Sequence, residues 1–274
     1  MQAKTAQETP RKAQIARLRR MMQAHDMRPE DALSGVAGMA VGFDAIDADL
    51  PHGLAGDALH EVVAARPGDF AAALGFAWHL AARFAEQSAE QSAEWGGAGA
   101  AHVLYGQTHG GVRDIGQPYA PALHHAGLSP ARLIYLDGVA PDDLLWAGET
   151  ALACPSIGCT VLANPDSAPG FTPSRRLSMA AANAARPILL VLGAAAQGAA
   201  SAATTRWQIR ALPEQGWQVQ LLRQKYGAAL SSPVPCSPAK AARGWAVYPA
   251  RPVAAARRDM PVLRPHHLLH MRQA

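Results

Sequence analysis

Apolar and polar positions change period along this chain, and each change marks an element. LHEVVA at 59–64 is a short apolar run, and the turn ARPGD separates it from a long apolar segment. The run predicts a strand at 58–64. The segment predicts a helix over 69–85, because Ala72, Leu74, Gly75, Phe76, Trp78, His79 and Ala82 leave most of its circumference apolar. Asp69 stands where it can cap that helix. EQSAEQSAEWGGAGA at 86–100 has few apolar residues and reads as a loop. Further strands are expected at 101–106, 132–136, 158–163 and 187–192, the last apolar on both faces. Helices are expected between them, at 118–127, 141–153 and 173–185, the last with Thr172 as cap and Pro173 at the first helical position. At 205–225 the period becomes two. Trp207, Ile209 and Leu212, then Trp217, Val219 and Leu221, define an antiparallel hairpin joined by PEQG.

Strands alternating with helices predict an α/β fold, a mainly parallel sheet flanked by helices. The hairpin adds an antiparallel C-terminal extension. The chain divides into a basic N-terminal helix (1–28), a linker and entry segment (29–57), a core with its hairpin (58–250), and an Arg/Pro/His-rich tail (251–274). Residues 43–50 predict a helical turn or two, 230–240 are turn-rich, and GWAVYPA is a candidate edge strand. In the first segment Ile15, Leu18 and Met22 recur at helical spacing. That stripe is too narrow to bury alone, so it is a candidate docking helix, for self-association or for a partner.

Charge narrows the partners. The net charge of +4 conceals basic ends: residues 1–28 carry seven Lys/Arg against two acids, and 241–274 six against one. The middle therefore holds 25 − 13 = 12 basic and 21 − 3 = 18 acidic residues, which argues against a uniformly basic nucleic-acid surface. Nucleic acid would have to use the ends or a local patch. No membrane span and no secretory signal are recognisable, and three cysteines (Cys154, Cys159, Cys236) form no metal spacing, so a cytoplasmic location is expected.

The strand–turn–helix at 59–85 has the layout of a phosphate-binding loop without its chemistry. Such a loop needs convergent N–H groups, a Lys and a magnesium-binding hydroxyl. Arg66, Pro67, Gly68 and Asp69 supply one cation, one glycine and a carboxylate that repels phosphate. The plainer reading is that Pro67 and Gly68 turn the chain into the helix. A nucleotide hydrolase also needs an acid at the end of the fourth strand and a base after the second. Here Asn164 and Gln107 stand near those places, with Asp166 beyond a proline and His109 a solitary candidate base. His266 and His270 have helical spacing but no supporting metal ligands, and no metal or other cofactor is expected. Arg175, Arg176, Arg206 and Trp207 are candidate DNA or partner contacts, ordinary ion pairing being the alternative.

The order VGFDAIDADLPHGLAGDALHEVVA, HVLYG, YAPALHHAGLSPARLIYLDGVAPDDLLWAGETALAC, FTPSRRLSMAAANAARPILLVLG and SAATTRWQIRALP resembles the ImuA family, RecA-like accessory proteins of bacterial mutagenic translesion-synthesis cassettes. The similarity runs over roughly residues 12–225, and LLWAGETALAC, TPSRRLSMAA and TTRWQIRA carry most of it. The resemblance implies a RecA-type core with a degenerate phosphate loop at Arg66–Asp69, and with Asn164 and Gln107 replacing the magnesium-orienting and catalytic acids. It implies a non-catalytic, SOS-linked adaptor. Its implied partners are a catalytically inactive polymerase-like protein of the same cassette, an error-prone replicative-type DNA polymerase, and the RecA recombinase or the cell-division-inhibitor family. Two other functions stay open: a nucleotide-dependent switch with a degenerate loop, and a direct single-stranded DNA binder.

Overall fold

The computed structural model describes residues 38–94, 102–213, 216–225, 232–236 and 262–263. Ile15, Leu18, Met22, the segment GWAVYPA, His266 and His270 lie outside the described residues. The elements are α1 (Asp44–Asp47), β1 (Leu59–Ala64), α2 (Phe70–Glu94), β2 (His102–Thr108), α3 (His109–Ile115), α4 (Ala120–His125), β3 (Leu133–Val139), α5 (Pro141–Leu152), β4 (Ile157–Asn164), α6 (Phe171–Ala184), β5 (Ile188–Leu192), β6 (Thr205–Leu212), β7 (Gly216–Gln224), β8 (Val234–Cys236) and β9 (Val262–Leu263).

The described strands form one sheet in the order β8-β7-β6-β1-β5-β4-β2-β3-β9. It is parallel from β6 to β9, and β7 and β8 extend it antiparallel. The expected mixed α/β sheet with an antiparallel C-terminal extension is thus observed. β1, β4 and β5 are buried along their whole length because both faces are covered. On one face Val62, Tyr105, Val161, Val191, Trp207 and Ile209 meet Phe76, Ala77 and Leu80 of α2. On the other, Leu59, Val63, Leu162, Leu190 and Leu192 meet Leu144 of α5 and Leu177 and Ala181 of α6. The period of two along each strand deals residues alternately to the two cores. Gly148 lets α5 lie close on β4, since a Cβ there would come 2.6 Å from Leu162 Cδ1.

Several boundaries differ from the sequence reading. α2 runs to Glu94, through residues expected to be loop. EQSAEQSAE is made largely of strong helix formers, and Gly96 is the first glycine after Gly75. HGGVRDI, outside every helix expected from the sequence, forms α3, started by Thr108, whose Oγ1 accepts the Gly111 N–H at 3.3 Å. Both glycines are buried. A Cβ on Gly110 would fall 1.7 Å from a carboxylate oxygen of the exposed Asp166, which would have to move aside for any larger residue. α6 begins at Phe171 with Gly170 at the N-cap, so Thr172 is not the cap. β8 lies in the turn-rich stretch, its Pro235 tolerated on a short outer strand. β9 lies in the Arg/Pro/His-rich tail, for which the sequence predicts no strand.

One buried histidine is fully satisfied. His60 Nε2 lies 2.9 Å from the Ala55 carbonyl, which only accepts, so Nε2 carries the proton. Burial lowers the His60 pKa to about 4, so the ring is neutral and Nδ1 is an acceptor. The Thr205 hydroxyl donates to it at 2.8 Å and accepts from Trp207 Nε1 at 2.9 Å. No helix among the described residues is long and apolar enough to cross a membrane.

Candidate functional site at the carboxyl edge of the sheet

The chain leaves adjacent parallel strands β1 and β5 in opposite directions. β1 passes through α2, on one face, to β2; β5 returns along the other face to β6, burying Ala196 and Ala203 there. The crevice outside their carboxyl ends is therefore a topological switch point, where open α/β sheets place ligands. Its walls are residues 65–69, the exit of β4 and the connection 193–204.

The loop at 65–69 is stitched to its neighbours. Ala65 N donates to Ile209 O at 2.8 Å, and Pro67–Asp69 make a single 3₁₀ turn. Gln197 Nε2 donates to Ala64 O at 3.0 Å and Ala65 O at 2.8 Å. Two backbone N–H groups of the loop, those of Ala65 and Asp69, are thus already bonded within the protein, Asp69 N donating to Arg66 O at 3.0 Å. Asp69 does not cap α2: its Oδ1 reaches across to accept the Ala211 N–H at 3.1 Å, and its Oδ2 is buried without a protein partner. Arg66 is exposed while Asp69 is buried, and no ion pair joins them among the described residues. Gly68 faces open space, so no close contact demands glycine there.

Gln107 is fully buried, and both its amide nitrogen and its amide oxygen are engaged internally. Its Oε1 accepts from Tyr105 OH at 2.7 Å; its Nε2 donates to Gly116 O at 2.9 Å and to the Tyr135 oxygen. Tyr135 OH donates onward to Asp137 Oδ1 at 2.8 Å, and Gln117 Nε2 reaches Asp137 Oδ2 at 3.1 Å. Burial raises the pKa of Tyr105, and burial followed by the Asp137 hydrogen bond raises that of Tyr135, so both phenols stay protonated donors. Asn164 closes a turn at the end of β4: its Oδ1 accepts Ser167 N at 3.4 Å and its Nδ2 donates to Ser167 Oγ at 3.2 Å. Asp166 is exposed and pairs with Arg113 at 3.5 Å. His109 is exposed at the start of α3, with Nδ1 against Gly138. Among the described residues no group of His, Cys, Asp or Glu could hold a metal ion.

The candidate contact residues divide. Arg175 and Arg176 are exposed on α6, where Arg176 pairs with Glu149 of α5 at 2.7 Å. Because α6 starts at Phe171 they fall in its second turn, where the unfavourable dipole is weaker than in the first turn expected for them. Arg210 is exposed, as period two predicts. Arg206 and Trp207, in contrast, are not surface contacts. Trp207 is fully buried against Phe76, ring centroids 5.8 Å apart. Arg206 is 6% exposed and its Nε donates to Glu61 Oε2 at 2.7 Å. Its Nη1 donates to Gln197 O at 3.0 Å and Ala199 O at 2.7 Å.

The partners of Arg206 belong to a buried polar cluster that sequence reasoning missed. Glu61, on a fully buried strand, also accepts from Ser201 Oγ. Arg223 on β7 donates to Ser201 O at 2.9 Å and to Ala203 O. Ser174 of α6 accepts Ala202 N at 3.1 Å. Two arginines and two serines thereby order the Ala/Gly-rich connection 193–204, whose only apolar side chains are alanines. A charged residue within LHEVVA was the available signal; a Glu buried at that depth requires a cation in register, and Arg206 is its register partner on β6. No protein-family model and no curated protein matches the chain.

Proposed function

We propose that the chain is a non-catalytic, RecA-like adaptor of the ImuA kind, serving SOS-induced translesion DNA synthesis in the cytoplasm. The observation that carries the reading is that the side chains nearest the positions of hydrolase groups are engaged within the protein: Gln197 with the loop carbonyls, the buried Gln107 with two tyrosines, and Asn164 with Ser167. A hydrolase needs such groups free to meet phosphate, magnesium and water. The interior position of β1 beside β5, with antiparallel strands beyond β6, supports the RecA-like part. The sequence resemblance supports the biological setting.

The proposed partners are the inactive polymerase-like protein, the error-prone replicative-type polymerase and the recombinase. A pull-down of the purified full chain against the polymerase-like protein and the recombinase tests this, with residues 1–28 or 241–274 deleted in turn. Specific retention that one deletion abolishes is the expected result; a full chain that binds neither protein sinks the adaptor reading. Calorimetry with ATP and Mg²⁺ separates it from the nucleotide-dependent switch, for which stoichiometric binding is required. Single-stranded DNA affinity that falls steeply with salt would favour direct DNA binding through Arg175 and Arg176.

A further inference from the structure

α6 turns Ser174, Leu177 and Ala181 inward. Phe171, Arg175, Met179 and Asn183 recur along it at a spacing of four, and all four are exposed. Side chains four apart are neighbours on a helix surface, so these form one ridge. Phe171 and Met179 stand about 12 Å apart along the axis, with Arg175 between them.

Apolar exposure is concentrated on this ridge. Tyr119, Phe171 and Met179 are the exposed large hydrophobics among the described residues, and two of the three stand here, Phe171 52% and Met179 56% exposed. Scattered apolar side chains are ordinary, but two on one ridge form a patch. The ridge also carries an unanswered charge. Arg176 is taken by Glu149, whereas Arg175 has no ion pair or hydrogen bond among the described residues. FTPSRRLSMAAANA contains no acid to answer it. These features select the occupant. Beyond its first turn a helix spends its backbone N–H groups internally, so α6 offers an extended segment no ladder of hydrogen bonds; a helix arrives with its own backbone satisfied. A second α6 packed on the same ridge sets Arg175 against Arg175, a like-charge contact. Phosphates answer Arg175 but give Phe171 and Met179 no apolar contact. A helix with apolar residues at i and i+8 and a carboxylate at i+4 answers all three.

We propose that this ridge of α6 docks an acidic amphipathic helix of a partner protein, with Phe171 and Met179 as apolar anchors and Arg175 as the selector of charge. Two half-exposed anchors fall far short of the roughly 800 Å² that each partner buries in a standard interface, so the contact suits a single helix and is weak. The inference does not depend on the adaptor reading.

The probes are helical peptides of about 18 residues, long enough to hold a helix, with Leu at i and i+8 and Glu, Gln or Lys at i+4. Each is titrated to about 1 mM, which captures weak binding, into the full chain carrying isotope-labelled methionine methyls. Met179→Leu assigns the Met179 signal. That signal is expected to move saturably, the Glu peptide binding about fivefold more tightly than the Lys peptide, with Gln between them. Arg175→Glu is expected to invert the order, and Phe171→Ser to weaken the Glu peptide about tenfold. Both positions are exposed, so neither variant should move the urea midpoint. No movement with any peptide, equal binding of all three, or an order that Arg175→Glu leaves unchanged overturns the proposal. So does a Met179 signal that moves with protein concentration alone, which would put a second copy on the ridge. Movement with single-stranded DNA but not with peptide would assign the ridge to nucleic acid and overturn it too.

Discussion

The buried pair of Glu61 and Arg206 makes a quantitative test of how the connection 193–204 is held. Arg206→Met preserves length and removes the charge. Glu61, 1% exposed, then keeps only Ser201 as a charge-stabilising partner, and Gln197 O and Ala199 O lose their donor. Breaking a buried pair from one side costs about 3–5 kcal/mol, chiefly the desolvated charge left behind. With a urea m-value of about 3 kcal/mol/M, the unfolding midpoint falls by about 1–2 M at unchanged m. Glu61→Leu alone should cost a similar amount, because Arg206 is then the stranded charge. The double variant Glu61→Leu/Arg206→Met removes both charges and leaves mainly neutral groups unpaired, at about 1 kcal/mol each. It should therefore be more stable than either single variant, an inversion that only a direct charge pair produces. Circular dichroism in urea on the four chains completes the cycle. If Arg206→Met moves the midpoint by less than about 0.2 M, or if the losses simply add, the pair does not carry the energy assigned to it. A surface DNA contact makes the opposite forecast: unchanged stability and a shallower salt dependence of DNA affinity.

Three further outcomes follow from the same arrangement. His60 has a native pKa of about 4 against 6.5 unfolded, so its contribution is complete above pH 6.5 and is lost as pH falls towards 4; the loss is about 3 kcal/mol, and His60→Gln should flatten thermal stability over that window. Gly148→Ala drives a methyl to 2.6 Å from Leu162 Cδ1 and 3.3 Å from Ile188 Cδ1, and should cost about 1–3 kcal/mol in chemical denaturation. Gln197→Ala frees the Ala64 and Ala65 carbonyls; it should cost about 1–2 kcal/mol and speed hydrogen exchange in residues 193–204, while calorimetry still finds no ATP binding.

The order of strands and helices was legible in the sequence because burial sets a period that local residues display. LHEVVA, RPILLVLG and the alternation around Trp207 announce a sheet covered on both sides with a hairpin beyond it. The lysine and hydroxyl missing from Arg66–Asp69, and the acids missing near Gln107 and Asn164, were equally plain, since chemistry absent from the chain cannot be folded into it. Tertiary structure decided the rest. That Gly110 lies beside Asp166, 56 residues away, depends on where β4 ends. That Asp69 reaches Ala211 instead of capping its helix depends on where β6 runs. That Arg206 is a buried ion-pair partner and not a ligand contact depends on the connection 193–204 folding over that face of the sheet. Local sequence encodes periodicity and the groups available. Which of those groups meet is settled by strand order, because β1 lies between β5 and β6 in the sheet but far before both along the chain.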